Sequence, residues 1–261
     1  MLRLVRVSDG TLLYKVGHDS PVESVAFAPD GQTLAVGLCS GMVRLVRVSD
    51  GTLIHTLAGH KPCVQSVAFT PDGQILASGA SDHTVKLWRV SNGTLLQTLE
   101  GHTDWVASVI FAPDGQTLAS ASWDHTVKLW RVSDGALLRT LEGHTDSVWC
   151  VAFARDGQIL ASGASDHTVK LWRVRDGTLL HSLSGTPTDW EEDVTFAPDG
   201  QTLAVGSTDR TVKLWRVRDG TLLHTLEGHT GYVHSVAFSP NGQVLISGGE
   251  DYTVRLWGVQ P

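Results

Sequence analysis

Residues 101–142 read GHTDWVASVIFAPDGQTLASASWDHTVKLWRVSDGALLRTLE, and this stretch, with small changes, accounts for most of the chain. It opens on a polar turn, Gly101-His102-Thr103-Asp104, after which Trp105 to Phe111 has the composition of a strand. Pro113-Asp114-Gly115 supplies a fixed φ and then a residue free to take positive φ, which makes a tight turn. Thr117 to Ser122 predicts a second strand. Asp124-His125 turns into a third, Val127 to Val132, and Ser133-Asp134-Gly135 turns into a fourth, Ala136 to Leu141. Short strands punctuated by turn residues every ~8–12 positions predict an all-β array, and no segment has helical periodicity.

The unit recurs. Gly17, Gly59, Gly101, Gly143, Gly185 and Gly228 stand 42, 42, 42, 42 and 43 residues apart, and histidine follows at His18, His60, His102, His144 and His229. A period in the low forties, with Gly-His early and tryptophan late, predicts stacked four-stranded blades. The Gly-His pair, the Pro-Asp-Gly turn, the Leu-Ala-Ser strand (Leu76-Ala77-Ser78, Leu118-Ala119-Ser120, Leu160-Ala161-Ser162) and an Asp followed six residues later by Trp resemble the WD40-repeat family over essentially the whole chain. The resemblance implies a β-propeller of four-stranded antiparallel blades. One departure is that Arg89, Arg131, Arg173, Arg216 or Gly258 follows the tryptophan, where the family usually has Asp. Residues 73–90 and 157–174 are identical, which points to growth by internal duplication and resembles the long repetitive arrays of bacterial proteins.

One domain is expected over 1–261, with repeats at about 17–58, 59–100, 101–142, 143–184, 185–227 and 228–261. Residues 2–7 and 10–14 align with a third and a fourth strand, and the C-terminus stops at a third. That makes 25 strands where six blades need 24. The family's way of closing its ring implies that Thr11 to Val16 completes the last blade, giving six blades and leaving residues 2–7 over. The alternative is a segment of a seven-bladed or longer array. A monomer is expected, with strand exchange between chains as the other outcome.

Composition narrows the function classes. Net charge is −7, and the 20 Lys and Arg are spread through the units, against a nucleic-acid surface. No apolar run approaches the ~20 residues of a membrane span, and the N-terminus lacks the pattern of a signal peptide. Cys39, Cys63 and Cys150 are odd in number and occupy no repeating position, so no disulfide framework is implied and a reducing, cytoplasmic setting is expected. His83, His125 and His167 sit on successive units, and no Cys-x-x-Cys or His-x-x-x-His spacing occurs. Neither a metal nor a cofactor is expected.

Each well-formed copy contains Ser, His and Asp, which taken alone suggests a hydrolase. The resemblance implies instead a structural hydrogen-bonded tetrad with the strand tryptophan. It occurs as His60-Ser78-Asp82-Trp88, His102-Ser120-Asp124-Trp130, His144-Ser162-Asp166-Trp172 and His229-Ser247-Asp251-Trp257. An enzyme seldom needs four copies of one active site, and no catalytic residue is assigned. Unit five has Thr186 and Val205 in place of His and Ser, and unit one keeps His18 but has Val36, Ser40 and Val46.

Function is expected where the copies differ. Three positions vary most: Pro21, Cys63, Trp105, Ser147, Trp190 and Tyr232; Glu23, Gln65, Ala107, Trp149, Glu192 and His234; and Cys39, Ser81, Trp123, Ser165, Thr208 and Glu250. The resemblance implies that they lie together on the top rim, where partners bind. Four tryptophans other than the strand tryptophan, Trp105, Trp123, Trp149 and Trp190, fall here, beside Tyr232 and the acids Glu191, Glu192, Asp193, Glu250 and Asp251. These residues predict a non-catalytic interaction scaffold whose rim takes a peptide with an apolar anchor and Lys or Arg. The expected contacts are Trp105, Trp123, Trp149, Trp190, Glu192, Tyr232, His234 and Glu250, and changing Trp105 and Trp149 to Ala is expected to abolish binding with little loss of stability. Glycan or small-molecule binding by the same aromatics is one alternative, and an excised or engineered array without a partner is another.

Overall fold

The computed structural model describes residues 2–6, 8–17, 19–184 and 190–258. Every regular element among them is a strand, and none of the structure's helices is long and apolar enough to cross a membrane, since none is present there. A two-stranded pair, β1 (Leu2–Val5) and β2 (Leu12–Val16), comes first. Four-stranded antiparallel sheets follow in chain order. The first is β3 (Val22–Phe27), β4 (Thr33–Leu38), β5 (Met42–Arg47) and β6 (Leu53–Ala58). The second is β7 (Val64–Phe69), β8 (Ile75–Ala80), β9 (Val85–Arg89) and β10 (Leu95–Leu99). The third is β11 (Val106–Phe111), β12 (Thr117–Ser122), β13 (Val127–Arg131) and β14 (Leu137–Leu141). The fourth is β15 (Val148–Phe153), β16 (Ile159–Ala164), β17 (Thr168–Arg173) and β18 (Leu179–Ser184). The fifth is β19 (Glu191–Phe196), β20 (Thr202–Ser207), β21 (Val212–Arg216) and β22 (Thr221–Leu226). A three-stranded sheet, β23 (Val233–Phe238), β24 (Val244–Gly249) and β25 (Val254–Gly258), completes the series. These sheets are the blades of a β-propeller. The chain divides into two compact units, the first of residues 1–111, 115–120 and 131–136, the second of 112–114, 121–130 and 137–261.

The turns form as the sequence predicts. Gly31, Gly73, Gly115, Gly157, Gly200 and Gly242 take φ of 68–71°, where a Cβ is disfavoured. The preceding Asp72 and Asp156 carboxylates accept the backbone N–H of Gln74 and Gln158 at 3.0 and 2.9 Å and close the turn locally. Second strands are the most deeply buried, and they carry small residues for a steric reason. In the first unit a Cβ on Gly79 would come within 2.7 Å of a Val106 methyl and 2.9 Å of a Val109 methyl. The glycine is therefore a socket for the valines of the next first strand. Around such sockets the first unit packs Val43, Leu45, Leu57, Val64, Val67, Leu76 and Trp88, while Val169, Leu171, Val194, Leu203 and Trp215 pack in the second. Each aliphatic side chain fully buried in this way stabilises the fold by about 1.5–3 kcal/mol.

The N-terminal strands differ from expectation in their pairing. β2 pairs with β1, Leu2 opposite Val16 and Leu4 opposite Tyr14, and the last sheet has three strands. The reason lies in the first unit. Val16 packs against Leu34, Val36, Leu38 and Val46, and the Tyr14 hydroxyl donates to the Val48 carbonyl at 2.6 Å. His55, from the fourth strand of the next sheet, makes the corresponding contact to the Ser91 carbonyl at 3.3 Å. β2 therefore sits beside the first sheet as β6 sits beside the second.

The cysteines require a correction. Cys39 and Cys63 form a disulfide between the first and second four-stranded sheets, whereas Cys150 is free and buried. The two partners hold different positions of the repeat on neighbouring blades. Comparing like positions along the sequence could not pair them.

Candidate functional site

The Ser-His-Asp sets are the most chemically suggestive groups. Ser78 Oγ accepts from Trp88 Nε1 at 2.8 Å and lies 2.7 Å from His60 Nε2, while His60 Nδ1 lies 3.0 Å from the nearer Asp82 oxygen. Indole nitrogen can only donate and a carboxylate can only accept, so Trp88 donates to Ser78 and His60 Nδ1 donates to Asp82, while His60 Nε2 and the Ser78 hydroxyl share the bond between them. The same connections recur in the second unit for His144-Ser162-Asp166-Trp172 and His229-Ser247-Asp251-Trp257. His102 likewise lies 2.7 Å from Ser120 Oγ. A nucleophile must be reachable, however, and Ser78, Ser120, Ser162 and Ser247 are all 0% exposed. Burial opposes ionisation of Asp82 and Asp166, but hydrogen bonds from His60 and Thr84, or His144 and Thr168, outweigh it. Both carboxyls stay well below the usual carboxylate range. The sets are closed polar ties from a loop to its blade.

The two irregular copies show how such a tie is replaced. In unit five Thr186 lies outside the described residues, Val205 is buried, and Asp209 forms an ion pair with Lys213. In the second, third and fourth blades the equivalent Lys86, Lys128 and Lys170 instead donate to Thr98, Thr140 and Ser182 at 3.0–3.1 Å. A cation from the same blade has taken over the histidine's role as donor. In unit one His18 lies outside the described residues, Val36 and Val46 are fully buried, and Arg44 pairs with Asp19 at 3.0 Å.

The variable positions are held by backbone bonds. In the first unit Cys39 N–H donates to the Pro21 carbonyl and Ser81 N–H to that of Cys63, at 3.0 and 2.9 Å. In the second unit Ser165, Thr208 and Glu250 donate to Ser147, Trp190 and Tyr232 at 2.9, 3.1 and 2.8 Å. In these five blades the turn between second and third strands is thus tied to the start of the first strand.

Exposure separates the aromatics that sequence alone treats alike. Trp105, in the first unit, is 38% exposed. In the second unit Trp190 and Tyr232 are 48% and 47% exposed, and His234 and Glu250 are exposed. Trp123 and Trp149 are only partly exposed and pack edge to face, with centroids 4.8 Å apart. Trp149 Nε1 also donates to Ser165 Oγ at 2.7 Å. The side chains of Glu191 and Glu192 lie outside the described residues.

Two of the acids singled out in the sequence are engaged within the fold. Asp251 belongs to a tetrad, and Asp193 Oδ2 accepts from Val236 N–H at 2.9 Å and Ser235 Oγ at 3.1 Å. Asp193 stands where Ser24 and Ser66 stand in earlier copies, and those hydroxyls accept from Val67 and Val109 N–H in the same way. Repeat register was therefore the signal for a role between neighbouring sheets.

The comparisons with known proteins agree with this construction. A family model described as WD domain, G-beta repeat, matches residues 51–89, 93–131, 135–173, 177–216 and 220–258. A second, the Anaphase-promoting complex subunit 4 WD40 domain, matches residues 1–63. No curated protein matches the chain. Five matched repeats, each running from the fourth strand of one sheet through the third strand of the next and carrying its turn glycine and tryptophan, cover most of the sequence, and the chain belongs to the WD40-repeat family.

Proposed function

We infer that this chain is a non-catalytic interaction module that holds a protein or peptide partner on its rim. WD40 repeats in general mediate protein–protein interaction and are as a rule not enzymes. The observation that carries the finer reading is the pair Trp190 and Tyr232. Both are large aromatics about half exposed at equivalent positions of successive sheets, each on a backbone carbonyl tied into its own blade. Aromatics presented on a rigid backbone lose little entropy on binding and are the usual anchors of interfaces. Glu250, exposed and bonded through its N–H to the Tyr232 carbonyl, offers a carboxylate at the Tyr232 corner for Lys or Arg of the partner. Trp123 and Trp149 support the neighbouring corner, and Trp105 offers an aromatic of the same kind in the first unit. The partner is a peptide segment with an apolar anchor next to a basic residue, met by a monomer.

Selection of a displayed peptide library on immobilised protein tests this. Enrichment of peptides pairing an aromatic or Leu with Lys or Arg, lost in a Trp190→Ala, Tyr232→Ala variant of unchanged circular dichroism, is the expected result. Enrichment that survives the double substitution would move the site off these residues. Sugar binding without peptide enrichment would favour a glycan ligand.

A further inference from the structure

The corner that departs most from the repeat lies in the first unit. Cys39 holds the third variable position of one blade, Cys63 the first of the next, and Glu23 the second of the former. The corresponding residues one blade further along are Ser81, Trp105 and Gln65. The chain has three cysteines, and two of them meet here. One Glu23 carboxylate oxygen, Cys39 Sγ and Cys63 Sγ all lie within 4.8 Å of one another. Nothing in the blade's construction calls for this set, since no other copy has cysteine at either position and the position of Glu23 is Gln, Ala, Trp, Glu or His elsewhere.

We propose that Cys39, Cys63 and Glu23 form a redox-gated zinc site. As the disulfide, the pair binds no metal. As the dithiol, it takes up one Zn²⁺, with the Glu23 carboxylate as third ligand. A dithiol reductant gives two electrons and two protons to the Cys39–Cys63 bond, which breaks into two thiols while the reductant closes into its own disulfide. Zinc then displaces both thiol protons to solvent and forms two Zn–S bonds. Two thiolates and a carboxylate suit this borderline-soft ion better than magnesium or calcium, which seek oxygen. With Zn–S near ~2.3 Å and Zn–O near ~2.1 Å, ligand atoms around a tetrahedral ion stand roughly 3.5–3.8 Å apart. The sulfurs must part from their bond and the carboxylate must close in, movements that side-chain torsions supply.

The backbone beneath is already fixed. Cys39 N–H donates to the Pro21 carbonyl at 3.0 Å and Cys63 N–H to Ser81 Oγ at 3.0 Å. Cys39 is partly exposed and Glu23 exposed, so reductant and metal can both arrive. Only three protein ligands are supplied, which leaves the fourth position to water or to a donor from a bound partner. The site stands independently of any peptide bound at Trp190 and Tyr232.

Cobalt titration of the intact chain tests the site, because two thiolates on Co²⁺ give a charge-transfer band that carboxylate and imidazole ligands do not. Protein reduced with a dithiol and freed of it without oxygen is expected to bind one Co²⁺ with that band, and Zn²⁺ is expected to bleach it. The disulfide form of the same wild-type protein, which needs no substitution and keeps the fold, is expected to show none. Cys39→Ser and Cys63→Ser should abolish the band, Cys150→Ser should keep it, and Glu23→Gln should weaken affinity at least about tenfold. Absence of the band in reduced wild type, or its survival in Cys39→Ser, would overturn the proposal. Unchanged affinity in Glu23→Gln would overturn the carboxylate's part in it.

Discussion

Ser162 shows how much one side chain can decide. It accepts a hydrogen bond from the Trp172 indole and shares another with His144, which in turn donates to Asp166, and all four groups are withdrawn from water. Removing the middle of such a chain strands its ends. His144→Ala leaves the Ser162 hydroxyl and the Asp166 carboxylate each short of a partner, at about 1–3 kcal/mol per buried orphan. A loss of unfolding free energy of that size, read from the lowered urea midpoint, is expected, while the affinity of any rim ligand stays unchanged. Unit five avoids the penalty because Val205 removes the hydroxyl and Lys213 supplies Asp209, so Lys213→Met should destabilise where Lys170→Met does little. Acid titration reads the same network. The Asp166 carboxyl is held below its unfolded value, so its stabilisation is complete above about pH 4 and is lost as pH falls through the lower folded value. Wild type should therefore lose stability most steeply below about pH 4, and urea unfolding at pH 7, 5 and 3 should show Asp166→Asn weaker at neutrality and flatter in acid.

At the scale of the strand, the second strand is the tightest element of the four-stranded blades, and β24 of the three-stranded sheet is looser. Gly79→Ala would drive a methyl into Val106 and Val109, at 2.7 and 2.9 Å, and should cost about 1–3 kcal/mol by overpacking. Gly248 holds the same place in β24 with no atom within 4 Å of an added Cβ, so Gly248→Ala should stay within about 0.5 kcal/mol. Thermal melts of the two variants check the contrast directly. The elements themselves were legible in the sequence because each is bounded by turn residues with a stereochemical job, as at Pro113-Asp114-Gly115. Tetrad partners were legible through the resemblance to the WD40-repeat family, whose set recurs here in four copies. What depends on contact between unlike positions was not. Cys39 and Cys63 meet across a corner that no comparison of equivalent residues brings together. Trp149 and Trp190 read alike as variable aromatics, yet the first packs on Trp123 and the second stands half exposed, since cover depends on which neighbour arrives beside each. β2 matched a fourth strand and sits as one, but the identity of its sheet partner was set by β1, which the turn at Asp9-Gly10 folds back onto it.

For the whole molecule, the decisive property is that a stack of near-identical blades has stability built from each repeat and its immediate neighbours. A local crosslink in such a stack should be felt locally. The Cys39–Cys63 disulfide joins residues 24 apart within the first unit, and the second unit holds only the free, buried Cys150. Closing a loop of that length restricts the unfolded chain by roughly 3 kcal/mol, which corresponds to about a hundredfold in the opening equilibrium of the segment it ties. Tryptophan fluorescence reports this poorly, because only Trp88 and Trp105 lie in the first unit and the other seven in the second. Native-state hydrogen exchange read by peptide is the better measurement, with dithiol and chelator present so that no metal replaces the lost bond. Amides of β4, β5, β7 and β8 should exchange faster on reduction by up to about a hundredfold, and those of β16, β17, β20 and β21 should keep their rates. Equal acceleration in both sets would mean that the repeats open as one cooperative body, and the neighbour-by-neighbour account of their stability would fail.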